Sequence, residues 1–527
     1  MKISYIERNG RRYAYTCTSR RTPGRKNPVS EMTYLGVVDP VSGEIIPKKS
    51  RIPKPVSVPD EVDMKSFGDA LLVMTIAERL GIIEDLETAF GERHRMILAI
   101  ALAEAIRPSH TGLIDAVLKS SSIPELLGIE PSEVSKRNVM RTVNSIDRDS
   151  MNEFFRLRWM RVGGRAMVFS HSVSLSDNSY DTLGDLSGLA DLDDATVSIV
   201  TGADGTMVGF SFVQLPPADV SHVIEMAELM RSVGIDCTYV SSTSVSASVR
   251  LDELILHDID FVIPYSVASP QFRSLSYNCN DLHDSQYTFE HDGTPYQMKE
   301  SSAELMMGEG RYILTPARGL SADTQGVSLK SFMVFDPRIN REAVKTMSDL
   351  VRSLTARLDG IATDDPEMIL SASAGQLAHM LRYIKKSDGT LSVSVKRGAM
   401  ADFRENAGMA LILTRTSSWD DIIKARETLK SINAVTGEFY KRSRWMLKYV
   451  GKNVDIEGQM FEEFIALLIY DSMHRTLESC RKNDSIEEVM FIASTYQKAT
   501  IGGKTVRSPM NGKLRKVFGI FGLDPDA

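Results

Sequence analysis

Residues 237–254 read CTYVSSTSVSASVRLDEL. Cys237 to Val240 is rich in strand formers and Val249 to Leu254 has helical spacing, so the serines between them occupy a strand-to-helix crossing. In open α/β sheets ligands and metals gather at the carboxyl ends of strands. An enzyme of this build would be expected to carry a carboxylate there, and this chain carries serine. On the N-terminal side, Arg165 to Leu175, Ala195 to Thr201 and Met207 to Gln214 read as strands, the last two joined by the turn Gly202 to Gly205. Asp219 caps a helix with the apolar face Val220, Val223, Ile224, Ala227 and Met230, and Gly234 ends it. On the C-terminal side Phe261 to Tyr265 is another strand. A hairpin followed by alternating helix and strand predicts a mixed α/β fold, one sheet covered by helices.

Four regions surround and include this sheet. Residues 1–58 form a basic β-rich region in which two alternating stretches flank Asn9-Gly10, a strong hairpin signal. Ile52 to Val62 packs three prolines and reads as a linker. Residues 60–164 are helical, with Met96 to Ile106 apolar nearly all round, as a buried helix is. Residues 165–450 hold the sheet, interrupted at about 266–400 by an insertion in which FEHDGTPYQMKE and EGRYILTPARGL look β-like, while Arg341 to Asp359 and Asp365 to Lys385 look helical. GMALILTRT (Gly408 to Thr416) then resumes the sheet. Residues 451–527 form a C-terminal helical region.

The chain has 527 residues, 43% hydrophobic and 25% charged, an ordinary globular composition. It contains no run of eighteen apolar residues, and MKISYIERNG places charge where a signal peptide needs an apolar stretch, so no membrane span and a cytoplasmic location are expected. Cys17, Cys237, Cys279 and Cys480 lie far apart, which predicts reduced thiols rather than a disulfide framework or zinc knuckle. The net charge of -7 conceals an asymmetry: residues 1–55 hold twelve Lys or Arg against four acids, +8, leaving 50 against 65, or -15, in the remainder. A polyanion-binding arm and a solvated basic hairpin both account for it.

Several constellations carry bland readings. Asp281, His283, Asp284, Glu290 and His291 are metal-ligand types but lack ligand spacing on one element, so a solvated loop is favoured. His171 between Ser170 and Ser172 has no nucleophile elbow, and no phosphate-binding glycine loop occurs anywhere. Lys441, Arg442, Arg444 and Lys448 turn a basic face outward from the helix after the last sheet strand, which suits solvent and nucleic acid equally.

Together these pieces resemble an insertion-sequence transposase of the DDE class, with a β-rich N-terminal region, a helical domain and an RNase H-like core bearing a long insertion. The resemblance runs nearly end to end. It is carried by TYLGVVDP, FGDALLVMTIAERLGI, SSSIPELLGI with NEFFRLRWM, LPPADVSHV, DFVIPYS, ALILTRT, EGQMFEEFIALLI and KVFGIFGLDP, in that order. It implies DNA transposition and recombination through two divalent ions, Mg²⁺ or Mn²⁺, held by two Asp on strands and one Glu on a late helix. Matched residue by residue, the first Asp falls on Ser170 or His171, the second on Ser242 and the Glu on Thr436. All are neutral, and a serine hydroxyl is a poor ligand for a hard cation. Rescue would need Asp177 or Asp181, Asp236, or Glu438, and Glu438 lies roughly 200° around a helix from Thr436.

The resulting expectation is a DNA-binding mobile-element protein, dimeric as the resemblance implies, nucleoid-associated when bound, with no small-molecule cofactor and with strand cleavage lost or weakened: a pseudoenzyme. The alternatives are an active transposase with displaced carboxylates and a non-catalytic regulatory or interaction protein on a retired fold. Phosphate contacts are assigned to Arg11, Arg12, Arg20, Arg21, Arg25 and Lys26 in the arm, and to Lys441, Arg442, Arg444 and Lys448.

Overall fold

The computed structural model describes residues 2–20, 29–47, 62–108, 113–173, 195–213, 219–241, 249–267, 269–276, 281–291, 293–308, 311–316, 326–443, 456–480, 484–501 and 504–523. Two compact units are present: Met1–Asp63 with Thr500–Lys504, and Met64–Ala499 with Thr505–Ala527.

The first unit is an antiparallel meander of β1 (Lys2–Arg8), β2 (Arg11–Arg20), β3 (Val29–Val38) and β4 (Ile45–Pro47). Asn9 (φ 52°) and Gly10 (φ 69°) form the β1–β2 turn, left-handed at both positions as a two-residue hairpin requires. Tyr15 and Tyr34 face each other with ring centroids 5.3 Å apart. Among the described apolar side chains of β1–β4, only Ala14 and Val38 are buried, so cross-strand pairing rather than a core holds this sheet.

The second unit follows β5 (Val62–Ser66) with α1 (Gly68–Arg79), α2 (Ile82–Phe90), α3 (His94–Ile106), α4 (Ile114–Ser120), α5 (Ile123–Leu126), α6 (Lys136–Val143) and α7 (Arg148–Val162). Ile97 through Ala105 of α3 are all buried, as the unbroken apolar run predicts. Asp85 is anchored beneath them by Arg158 at 3.3 Å and Arg161 at 2.8 Å. The helical region and the C-terminal helices prove to be one body. Phe461 of the late helix Ile456–Ser479 packs edge-on against Phe154 and Phe155 of α7 and meets Phe90 of α2 at 5.3 Å. One hydrophobic core runs from Phe67 to Phe521, so the expected boundaries near residues 164 and 451 divide chain segments, not cores.

The central sheet has the path β11 (Thr288–His291), β12 (Thr294–Gly308), β14 (Gly326–Phe335), β17 (Met409–Thr414), β10 (Asp260–Tyr265), β9 (Asp236–Ser241), β6 (Arg165–Val173), β7 (Ala195–Gly202), β8 (Met207–Val213). Its first half is an antiparallel meander of β6 (Arg165–Val173), β7 (Ala195–Gly202) and β8 (Met207–Val213), followed by α8 (Ser221–Ser232) and β9 (Asp236–Ser241), which lies parallel to β6. Next come α9 (Leu251–Leu256) and β10 (Asp260–Tyr265), parallel to β9. Gly209 lets α7 lie on β8: a Cβ there would come within 2.7 Å of Trp159 Nε1.

After α10 (Pro270–Leu275), the inserted strands β11 (Thr288–His291), β12 (Thr294–Gly308), β13 (Arg311–Pro316) and β14 (Gly326–Phe335) extend this same sheet. The rest of the insertion, α11 (Pro337–Leu358), α12 (Pro366–Ala374), β15 (Leu381–Lys385), β16 (Leu391–Val395) and α13 (Arg397–Asn406), closes its own small core around Val351, Leu354, Leu370 and Leu391. The helix expected from Asp365 to Lys385 stops at Gly375 (φ 51°), and Leu381–Lys385 pairs instead with Leu391–Val395. Apolar residues there fill a local hairpin face rather than a helical stripe. β17 (Met409–Thr414) then pairs antiparallel with both β10 and β14. The chain ends through α14 (Trp419–Ser443), α15 (Ile456–Ser479), α16 (Ile486–Ser494) and α17 (Gly512–Ile520).

Candidate functional site

Four serines stand in lateral register across four adjacent strands. Ser211 on β8 faces Ser198 on β7, Ser198 faces Ser170 on β6, and Ser170 faces Ser241 on β9. Directly paired residues project from the same face of a sheet, so the register places four hydroxyls in one row. Ser170 and Ser198 share a 2.6 Å hydrogen bond, and Ser198 Oγ lies 2.9 Å from His222 Nε2 on α8. Ser170, Ser198, Ser241 and His222 are all buried. Burial drives the His222 imidazole down to about 4, against the charge of Asp219, so the ring is neutral at pH 7. Burial likewise pushes the Tyr239 phenol up to about 12, opposed by its hydrogen bond with Ser170, and the Cys237 thiol up to about 12. Ser170, Ser198 and His222 form a buried, uncharged hydrogen-bonded chain, with the buried Ser241 beside it and Ser211 half-buried at its edge.

The sequence-assigned acidic positions meet here only in part. Of these positions Ser170 stands in the row, and the parallel β6–β9 register pairs it with Ser241, the residue before the assigned Ser242. His171 is one residue further along β6, where its backbone pairs with Val197. Thr436 is buried on α14, its hydroxyl donating to the Ile432 carbonyl at 2.7 Å, and among the described residues no hydrogen bond joins it to the serine row. Ser242, Asp177 and Asp181 lie outside the described residues, and only the backbone of Glu438 is described, within α14. Asp236 opens β9, opposite Arg165 at the start of β6. Five residues of strand, roughly 17 Å, separate it from Ser241, so Asp236 cannot share an ion with the serine end. Among the described residues the site offers only neutral hydroxyl oxygens, Ser170 and Ser241 on adjacent strands and Thr436 on α14, and these are poor ligands for hard divalent ions. Among the described residues no group of three His, Cys, Asp or Glu is arranged to hold a metal.

Charge collects at the other end of the parallel strands. Asp260, at the start of β10, accepts from Thr416 N (3.0 Å), Thr416 Oγ1 (2.7 Å), Ser417 Oγ (2.6 Å), Thr414 Oγ1 (3.3 Å) and Phe261 N (2.9 Å). Burial raises its pKa, but the hydroxyls of Ser417 and Thr416 outweigh that, and the net shift is downward. Arg165 reaches Asp260 at 3.8 Å and Asp421 of α14 at 3.4 Å, and Arg415 pairs with Asp258 at 2.6 Å. This knot ties β10 to the end of β17. Sequence reading did not find it, although TRTSS after a strand, three hydroxyl residues within four positions, is a signal for capping or turn bonds to a nearby acid.

The loop of candidate metal ligands is structurally engaged. Lys299 grips Asp281 at 2.6 Å and His283 Nδ1 lies 2.6 Å from Gln297 Oε1, while Glu290 and His291 lie on β11 rather than in the expected loop. Among the assigned phosphate contacts, Arg11 and Arg12 are exposed on β2, and the Arg12 guanidinium sits 4.7 Å above the Tyr5 ring. Arg20 ends β2, and Lys441 and Arg442 lie in the last turn of α14, each described in backbone only. Arg21, Arg25, Lys26, Arg444 and Lys448 lie outside the described residues. Cys17, Cys237 and Cys480 are free thiols. No helix of the described residues is long and apolar enough to cross a membrane. No protein-family model matches the chain, and no curated protein matches it in sequence.

Proposed function

We propose that this chain is a DNA-binding protein of the DDE transposase kind whose metal-dependent strand cleavage and transfer have been lost or weakened. The supporting observation is the serine row. An antiparallel meander followed by two parallel strands through helical crossovers is the arrangement expected of an RNase H-like core, and its strand ends are where an ion-binding carboxylate pair belongs. Ser170 and Ser241 occupy adjacent strands there, buried and uncharged. The inserted strands β11–β14 also fit the resemblance, since they follow the last parallel strand and widen the same sheet.

Affinity for DNA would come from the arm, through phosphate neutralisation by Arg11, Arg12 and the cations of the loop after β2. Its logarithm should then fall linearly with the logarithm of salt concentration. The test is one preparation assayed twice on DNA spanning both flanks of its own gene. Salt-titrated binding is measured first, then nicking and strand transfer with Mg²⁺ or Mn²⁺, with EDTA as control. Salt-sensitive binding without products is the expected result. Metal-dependent products abolished by Asp177→Asn, Asp181→Asn or Glu438→Gln would replace the proposal with an active enzyme whose carboxylates are displaced. No DNA affinity at low salt would leave the acidic body as a protein-interaction module.

A further inference from the structure

A cavity of about 290 Å³ opens between α7, β8, α8 and the start of α15, with Ser211 and His222 of the serine site in its lining, and its reading is independent of DNA binding. Its wall is aromatic: Phe155, Trp159, Phe210, Phe212 and Phe461 line it, and Phe155 and Trp159 stack with ring planes 19° apart. Around it stand Glu225 of α8, Glu457 of α15 and Arg148 of α7. Arg148 and Glu225 approach to 3.6 Å while 64% and 71% exposed, a geometry in which an ion pair is weak and readily exchanged.

Aromatic faces carry negative potential and attract cations, most strongly where water is displaced. Two carboxylates against one arginine give the rim the same sign of preference. An apolar hollow of this size also favours an organic body over water. A carboxylate ligand would meet both glutamates, and a neutral one would leave the rim unused.

We propose that this cavity binds a small organic cation, an aryl- or alkylammonium whose apolar body fills the aromatic hollow and whose ammonium group takes the place of the Arg148 guanidinium beside Glu225 and Glu457. Arg148 is then a resident stand-in that an incoming ammonium displaces. No covalent chemistry is involved.

The test uses the full chain and three probes of one shape, benzylamine, benzyl alcohol and benzoate, followed by saturation-transfer NMR and calorimetry at neutral pH. Benzylamine should bind most tightly, benzoate least, and the benzylamine signal should weaken with added salt. Glu225→Gln and Glu457→Gln, exposed substitutions that leave the core intact, should each weaken benzylamine about threefold and leave benzyl alcohol unchanged. Arg148→Ala should strengthen benzylamine by removing its competitor. Equal binding of alcohol and amine, indifference to both glutamate variants, or no binding of any probe up to its solubility limit would each overturn the proposal.

Discussion

The two ends of the parallel strands in the central sheet are opposites. At their N-terminal ends Asp258, Asp260, Arg165, Arg415 and Asp421 gather, answered by hydroxyls, amides and guanidinium groups, while Asp236 at the start of β9 is exposed. At their C-terminal ends Ser170, Ser198 and Ser241 gather, buried and neutral, with a histidine that burial also keeps neutral. The first end is where ionised groups stabilise the fold, and the second is where a DDE-type enzyme would need them. The difference teaches that an acid close in sequence to a strand end is not thereby catalytic. Asp236 and Asp260 stand at strand beginnings, and Asp260 is saturated by its own scaffold.

The largest expected effect tests the charged end. Asp260→Ala removes the acceptor of five hydrogen bonds and should lower the free energy of unfolding by about 3–5 kcal/mol in urea titrations, with Asp260→Asn recovering part of it. A loss under about 1 kcal/mol would break the contrast, because the knot would then be ornamental. The sign of its pH dependence follows from a folded pKa below the unfolded one: the contribution of Asp260 is present above the unfolded value and lost as pH falls through the folded value.

The next effect tests the neutral end. His222 binds its proton near 6.5 when unfolded and near 4 when folded. The unfolded state therefore takes up more protons in that window, and stability should fall as pH drops from 6.5 towards 4, by about 3 kcal/mol in total. His222→Gln should flatten that limb of the stability profile. A limb that survives the substitution would mean another group titrates there.

The smallest effects sharpen the comparison. Ser198→Ala breaks the link between Ser170 and His222 and should cost about 1–2 kcal/mol, whereas Asp236→Asn, exposed at a strand start, should change thermal stability by no more than about 0.5 kcal/mol. The reverse order would place the structural acid at Asp236 and leave the serine row inert.

Most of the sheet was legible in the sequence because its signals are local. Alternation marks β6 to β8, Gly202 to Gly205 marks their turn, and Gly234 marks the end of α8. The hairpin β15–β16 was misread in part because Asp365 to Lys385 carries apolar residues that suit either period until a partner strand decides between them. Half of the candidate site was visible too, as serines where acids were expected. The His222–Ser198–Ser170 chain was not, since its members are 24 and 28 residues apart and sit together only by strand pairing and the packing of α8 on the sheet.

The sequence by itself determined the order of elements, the basic arm of +8, and the absence of Asp or Glu at Ser170, Ser242 and Thr436, because these depend on residue type and short-range periodicity. Tertiary structure alone decided three other things. The C-terminal helix α15 completes the core of the helical region, the inserted strands widen the central sheet, and Asp260 belongs to a structural knot with residues more than 150 positions away. The physical reason is that burial, lateral register and hydrogen-bond saturation belong to the packed pair and not to either segment. A chain reveals which side chains it owns, and only packing reveals which of them remain charged and whom they face.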